Sequence, residues 1–135
     1  MDTLPLVQRF SGSPAVQALA LMGSTARGDA TALSDIDLVC FVDRSPRESI
    51  LDVYEGRLLV VSEVGPTEVE QWFVSPLKAT ECIAGAREAV ALWDPTGLFG
   101  GIKARAAAFK WDERLQHAAD AYASGMLAGL AEEAQ

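Results

Sequence analysis

Two aspartates one residue apart, Asp35 and Asp37, stand at the start of an apolar run that ends at Val42. The run is rich in strand-forming residues and bounded by turn residues, so it predicts a buried strand over residues 36–42. Because side chains alternate along a strand, both carboxylates point to one face, with Cα atoms about 6.5 Å apart. Such carboxylates repel each other and are costly to desolvate. The pattern indicates a cation site, although Ser34 followed by Asp35 is also ordinary turn chemistry.

Upstream of the aspartates, a second apolar run from Ala15 to Met22 ends in Gly23 and Ser24. The run predicts a strand, and the residues after it predict a single helical turn that Gly28 closes. Ser24 could serve only as a helix N-cap. A glycine also lets a phosphate group approach, however, and free N–H groups at a helix start bind anions. An anion site and a cation site on consecutive elements together indicate a metal-bound polyphosphate.

These two motifs resemble the signature of the polymerase-β-type nucleotidyltransferases, especially their minimal and antibiotic-modifying branches. The resemblance is carried by Gly23 to Gly28, which read Gly-Ser-Thr-Ala-Arg-Gly, and by Ser34 to Leu38, which read Ser-Asp-Ile-Asp-Leu. It extends roughly over residues 14–109. It implies an α+β fold (an α/β mixed sheet), in which a mixed, mostly antiparallel sheet is flanked by helices. The site would lie at the sheet edge where the glycine turn meets the second strand.

The resemblance also assigns roles to the residues that match the family's motif. It implies that Asp35 and Asp37 are catalytic and bind Mg²⁺, and that Gly23, Ser24 and Arg27 bind the nucleotide. The implied reaction transfers a nucleoside monophosphate from a nucleoside triphosphate such as ATP to a hydroxyl group. The acceptor would be a small molecule such as an aminoglycoside or a partner protein, since small members of the family act as antitoxins that nucleotidylate a partner toxin.

The strand predicted over Arg57–Val64 departs from the family's pattern. An active member carries a third Asp or Glu there, which helps to hold a second metal ion. The preceding turn, Tyr54–Gly56, sets a register that puts this position at Val60. Glu63 is the acid of this strand, but alternation puts it on the opposite face unless a bulge intervenes. Either Glu63 supplies the third carboxylate, or the carboxylate is missing and the chain is a nucleotide-binding or partner-binding module with impaired turnover.

The chain length predicts one domain, which the resemblance implies is a nucleotidyltransferase domain over residues 1–110, and the remaining pattern predicts a C-terminal helix over residues 111–135. The C-terminal segment carries an apolar stripe that would pack on the domain or form an interface with a second copy or a partner: Leu115, Ala119, Tyr122, Met126 and Leu130. Helices are also predicted over Leu4–Phe10, from Ser45 with Pro46 at its first position, from Pro66, over Ser75–Ala91 and over Leu98–Phe109. Asp94 is expected in a turn, and Lys103 or Arg105 could reach a phosphate group.

Charge and cysteine content restrict the partners and the compartment. The formal net charge is −8, without a Lys/Arg cluster, which argues against nucleic acid as a partner. No apolar run approaches the ~20 residues that span a bilayer, so no membrane is expected. Cys40 and Cys82 lack metal-ligand spacing and are expected to be free thiols of a cytoplasmic protein. His117 is expected at the surface, which leaves no histidine for catalysis.

Overall fold

A computed structural model of the chain describes residues 1–28, 31, 34–111, 116, 117, 120, 121 and 123–125. The described helices and strands are, in chain order, α1 (Leu4–Ser11), β1 (Val16–Met22), α2 (Gly23–Arg27), β2 (Ile36–Val42), β3 (Ile50–Tyr54), β4 (Arg57–Val64), α3 (Pro66–Val74), α4 (Pro76–Glu88), β5 (Val90–Trp93) and α5 (Leu98–Ala108). Pro66 and Pro76 each open a helix at a position where no N–H donor is needed.

The strands form one five-stranded sheet in the order β3-β4-β2-β1-β5. The β2–β4 pair is parallel, and the β1–β2, β1–β5 and β3–β4 pairs are antiparallel. This mixed, mostly antiparallel sheet with flanking helices confirms the predicted fold class. The apolar β1 and β2 lie at its centre, where both faces are covered and alternation of polar residues is not needed.

Helices cover the two faces of the sheet unequally. Helices α3, α4 and α5 pack on one face, here called the three-helix face, where Phe41 contacts the rings of Trp72 and Phe99. Helix α1 packs on the other face, here called the α1 face, through the fully buried Leu6. Side-chain alternation along β2 therefore sends Asp37 to the three-helix face with Phe41.

The helix predicted from Ser45 is wrong. Residues 43–49 contain no helix, and β3 follows them and pairs antiparallel with β4. The connecting turn has Glu55 at φ 50° and Gly56 at φ 74°, the positive values that a two-residue hairpin turn of type I′ requires. Tertiary contacts override the local cap pattern, because the backbone N–H of Arg47 donates to Glu63 of β4 at 2.7 Å. The strand predicted over Arg57–Val64 is thus the fourth, with the predicted bounds.

The C-terminal prediction falls largely outside the part of the chain that the structure describes. Helix α5 ends at Ala108, and His117 lies at the surface as predicted. The apolar stripe predicted for the C-terminal segment (Leu115, Ala119, Tyr122, Met126, Leu130) is outside the described residues, so the division at residue 110 stays a prediction. Among the described helices, none has the length and apolar character needed to cross a bilayer.

Candidate functional site

The two sequence motifs meet where β1 passes into α2. The antiparallel register of β1 and β2 places Met22 opposite Asp37, so the next residue, Gly23, lies beside the Asp37 carboxylate. A Cβ atom at position 23 would lie only 2.6 Å from Oδ2 of Asp37, and Gly23 has φ +71°. The positive φ favours glycine, and a side chain at position 23 would force the Asp37 carboxylate to move. The structure brings the glycine turn and the second aspartate into direct proximity.

The other residues predicted to bind the nucleotide follow on α2. Ser24 is half-buried at the start of this single helical turn, which Gly28 ends with φ +80° and an N–H bonded to the Ser24 carbonyl. Arg27 is exposed on the last residue of the turn, with its guanidinium 3.5 Å from a carboxylate oxygen of Glu88 on α4. The structure therefore places Ser24 directly after Gly23, which lies beside Asp37, and Arg27 at the exposed end of the same turn.

The two aspartates differ in exposure. Asp35 is exposed just before β2, and Asp37 is half-buried within it. Partial burial raises the pKa of Asp37 above its ordinary value, and the nearby charge of Asp35 raises it further. A bound cation would relieve both effects. Carboxylate oxygens are the ligands that Mg²⁺ prefers, commonly one or two of them together with substrate phosphates, so these residues fit one Mg²⁺ ion carried by a nucleotide.

The position expected for a third carboxylate is held by valine. In the parallel β2–β4 pair Val60 lies opposite Asp37, the register that the Tyr54–Gly56 turn predicts. Residues that are partners in a ladder share a face, so the Val60 side chain lies beside Asp37 on the three-helix face. In the described ranges no group of three His, Cys, Asp or Glu residues is placed to hold a metal ion.

Glu63 lies on the α1 face and has other partners. The Nη1 and Nη2 atoms of Arg44 donate to its two carboxylate oxygens at 2.6 and 2.8 Å, and Nη2 of Arg47 donates at 3.1 Å. The hydrogen bonds from Arg44 are the main reason that the pKa of Glu63 lies far below its usual range. The sequence left open whether Glu63 supplies the third carboxylate. In the structure Glu63 does not lie beside Asp37, and its carboxylate forms ion pairs with Arg44 and Arg47.

The neighbour of Glu63 on the same face, Cys40, gives a testable consequence. Burial, followed by the charge of Glu63, raises the pKa of the Cys40 thiol to about 12. Since only the thiolate reacts quickly, we expect Cys40 to resist iodoacetamide at pH 8 in the folded protein and to react in denaturant. Peptide mass spectrometry after timed labelling would measure this, with the half-buried Cys82 as internal reference. Rapid labelling of Cys40 in the folded protein would contradict the packing described here.

Two cations that could have reached a phosphate are engaged elsewhere. The Nζ atom of Lys103 donates to the Ala89 carbonyl at 2.6 Å, and Arg105 pairs with Glu70 at 2.7 Å. Asp94 accepts hydrogen bonds from the N–H groups of Phe99 and Gly100 at the start of α5, as its turn position predicts.

Sequence reasoning missed Arg57. This residue donates hydrogen bonds to Thr25 and Ser34, the two ends of the connection between the glycine turn and the aspartates. Its Nε donates to the Ser34 carbonyl at 2.8 Å and its Nη2 to the Thr25 hydroxyl at 3.0 Å. No local signal marked this arginine, since it reads as an ordinary residue at a strand start after a turn.

Comparisons with known proteins bear on the family and the fold of the chain. A family model described as a nucleotidyltransferase domain matches residues 5–92. The solved structure of a nucleotidyltransferase-like protein from Exiguobacterium sibiricum aligns with a TM-score of 0.60 at 13% identity, over 84% of this chain. At that identity the likeness shows the fold alone, and the chain spans 39% of the length of that protein. A search of curated proteins found no match.

Proposed function

The chain belongs to the nucleotidyltransferase domain family, and we propose that it transfers a nucleoside monophosphate from a nucleoside triphosphate to a hydroxyl group and releases pyrophosphate. The observation that carries this proposal is the approach of Gly23 to the Asp37 carboxylate. Without a Cβ at position 23, the Asp37 carboxylate, which favours a cation, can lie beside the start of α2, where helix N–H groups favour a phosphate group. A metal-bound triphosphate satisfies both requirements.

Each residue of the site has a distinct role in this proposal. Asp35 and Asp37 hold the Mg²⁺ ion, and Gly23 and Ser24 seat the triphosphate at the start of α2. Arg27 exchanges its exposed ion pair with Glu88 for a phosphate oxygen, because an exposed ion pair contributes little to stability. When bound, Mg²⁺ neutralises charge that develops on the transferring phosphoryl group. The protein's own contribution is to orient the triphosphate for in-line attack.

The acceptor in this proposal is a hydroxyl of a small molecule or of a partner protein. The net charge of −8 disfavours a nucleic-acid acceptor and suits a cationic one. We further propose that the C-terminal segment 111–135 contributes an interface with a second copy or a partner. Because nucleoside triphosphates are cytoplasmic metabolites, we place the reaction in the cytoplasm.

A second candidate function is a nucleotide-binding module with impaired turnover. It is favoured by the valine at the position expected for the third carboxylate. Val60 lies beside Asp37, and Glu63 points to the other face within its ion pairs. With two carboxylates, one metal ion bound to the nucleotide can be held, but the second ion that activates the attacking hydroxyl lacks a ligand. Binding would then survive better than transfer.

Metal removal tests the proposal directly. We expect calorimetric titration with ATP, GTP, CTP and UTP to show binding of at least one nucleotide in Mg²⁺, and a loss of at least about tenfold in affinity when EDTA removes the metal. Pyrophosphate release is followed in parallel with hydroxyl acceptors. Release on adding an acceptor supports transfer, and binding without release supports the module. Failure of all four nucleotides to bind in Mg²⁺ would contradict both functions.

A further inference from the structure

Arg57, the first residue of β4, connects the two motifs of the candidate site. Its Nε atom donates to the carbonyl of Ser34, the residue before Asp35, at 2.8 Å. Its Nη2 atom donates to the hydroxyl of Thr25, the residue after Ser24, at 3.0 Å. One planar guanidinium is thereby bonded to both ends of the connection that leads from the glycine turn to the aspartates.

The Thr25 hydroxyl extends this connection to the first aspartate itself. While one of its lone pairs accepts from Arg57, its single proton is directed to the Asp35 carbonyl at 3.4 Å, a long hydrogen bond. Within the described part of the chain, no carboxylate lies within ion-pairing distance of Arg57, and its remaining contact is with Sδ of Met1 at 3.8 Å. Two of the three nitrogen atoms of this half-buried guanidinium, Nε and Nη2, therefore hold the connection.

The face on which Arg57 lies separates it from the nucleotide. Its ladder partner, Tyr54, packs with the apolar cluster of the α1 face, and Met1 precedes α1. Alternation along β4 puts Val60, the neighbour of Asp37, on the opposite face. Arg57 therefore contacts the connection from the α1 face, opposite to the face of Asp37, and acts through Thr25 and Ser34.

We propose that Arg57 is a positioning residue that fixes the spacing between the glycine turn and the two aspartates, so that one metal-bound nucleotide contacts both. This inference rests on the proposed function for its consequence in binding. Groups that are held in place before the ligand arrives do not have to be ordered on binding, so the loss of the guanidinium fork lowers affinity without removing any ligand contact.

The test uses two lysine variants. Arg57→Lys keeps the positive charge and loses the planar fork. Arg87→Lys is the matched control, since Arg87 likewise donates to two carbonyls, those of Ala106 at 2.7 Å and Phe109 at 2.8 Å, at the end of α5. We expect Arg57→Lys to weaken Mg²⁺-nucleotide affinity about tenfold or more, and Arg87→Lys to leave it within about twofold. Unchanged affinity in Arg57→Lys would show that charge alone suffices and would overturn the proposal.

A second readout needs no nucleotide. Hydrogen exchange of residues 23–28 and 34–36 in the ligand-free protein should speed up about fivefold or more in Arg57→Lys and stay unchanged in Arg87→Lys. If the wild type binds no nucleotide, the proposed function fails, while this local exchange still decides whether Arg57 holds the connection. Faster exchange throughout the sheet would mark a general structural role and would overturn the proposal, as would unchanged exchange in residues 23–28 and 34–36.

Discussion

Replacement of Asp35 and Asp37 by asparagine should abolish Mg²⁺-dependent nucleotide binding. The double variant keeps the shape of both side chains and removes the two negative charges that would hold the metal ion. Loss of these contacts should weaken affinity at least about 100-fold, since they are worth several kcal/mol and 1.4 kcal/mol corresponds to tenfold. Calorimetric titration in Mg²⁺, with the nucleotide that the wild type prefers, measures the effect.

The stability of the same variant should not fall. The pKa of Asp37 is raised by burial and by the charge of Asp35, so at neutral pH the charged Asp37 costs the folded state free energy. The neutral amides of the double variant should therefore give an equal or higher melting temperature. Loss of binding with retained stability would indicate that these aspartates serve ligand binding and do not stabilise the fold.

Asp43→Asn is the matched control for this prediction, because Asp43 is exposed just beyond the other end of β2 and accepts a long hydrogen bond from Gln17 at 3.4 Å. It should bind Mg²⁺-nucleotide as the wild type does. Mg²⁺-dependent affinity that persists within about tenfold in the double asparagine variant would remove these two aspartates from the metal site.

The centre of the sheet could be predicted from the sequence because its signal is local. Strand β2 has the predicted bounds, Ile36–Val42, since a strand buried on both faces is a continuous apolar run between turn residues. The turn at Glu55 and Gly56 likewise needs positive φ values that few residue types adopt easily, so its position and the register after it were predictable.

The edge of the sheet could not be predicted in this way. Ser45 and Pro46 form a good helix start locally, yet β3 begins at Ile50, because its pairing with β4 and the contacts of Glu63 decide the path of the chain. Arg57 was missed for the same physical reason. Its two acceptors, at Thr25 and Ser34, come from distant parts of the sequence and meet only in the folded sheet.

For the candidate site, the sequence predicted that the glycine turn meets the second strand, but not how closely Gly23 approaches Asp37. The alternation rule alone put Glu63 on the face opposite Val60, and the ladder of β2 and β4 agrees. The approach of Gly23 to Asp37 depends on the β1–β2 register, which is a pairing between strands and leaves no mark in either motif. The roles of these residues in binding stay predictions until nucleotide is titrated.

The ion pair that removes Glu63 from the site should be important for stability. Its side chain is only 9% exposed and that of Arg44 is 31% exposed. Glu63→Gln keeps the shape but leaves the guanidinium groups of Arg44 and Arg47 without their shared anion. Breaking such a pair should cost about 2–3 kcal/mol, below the range for fully buried pairs because both arginines reach solvent. The melting temperature should fall by about 6–10 °C.

Glu70→Gln is the matched control, because Arg105 also donates two hydrogen bonds to Glu70, at 2.7 and 3.3 Å, with both side chains exposed. An exposed pair contributes little, so the melting temperature should change by less than about 2 °C. Equal effects of the two variants would contradict the structural role of the Glu63 pair.

The effect of Glu63→Gln should also depend on pH with a definite sign. The hydrogen bonds from Arg44, with those from Arg47, lower the pKa of Glu63 from its ordinary value of 4.5. A lowered folded-state pKa gives stability that is present above pH 4.5 and is lost as the pH falls below it. The difference in free energy of unfolding between wild type and Glu63→Gln should therefore be constant from neutral pH to about pH 5 and shrink in more acid solution. Urea denaturation at a series of pH values measures this difference.

The affinity of Glu63→Gln for Mg²⁺-nucleotide at neutral pH should remain that of the wild type, since Glu63 faces away from Asp37. A loss of affinity as large as that of the double asparagine variant would instead make Glu63 a ligand and require β4 to shift its register.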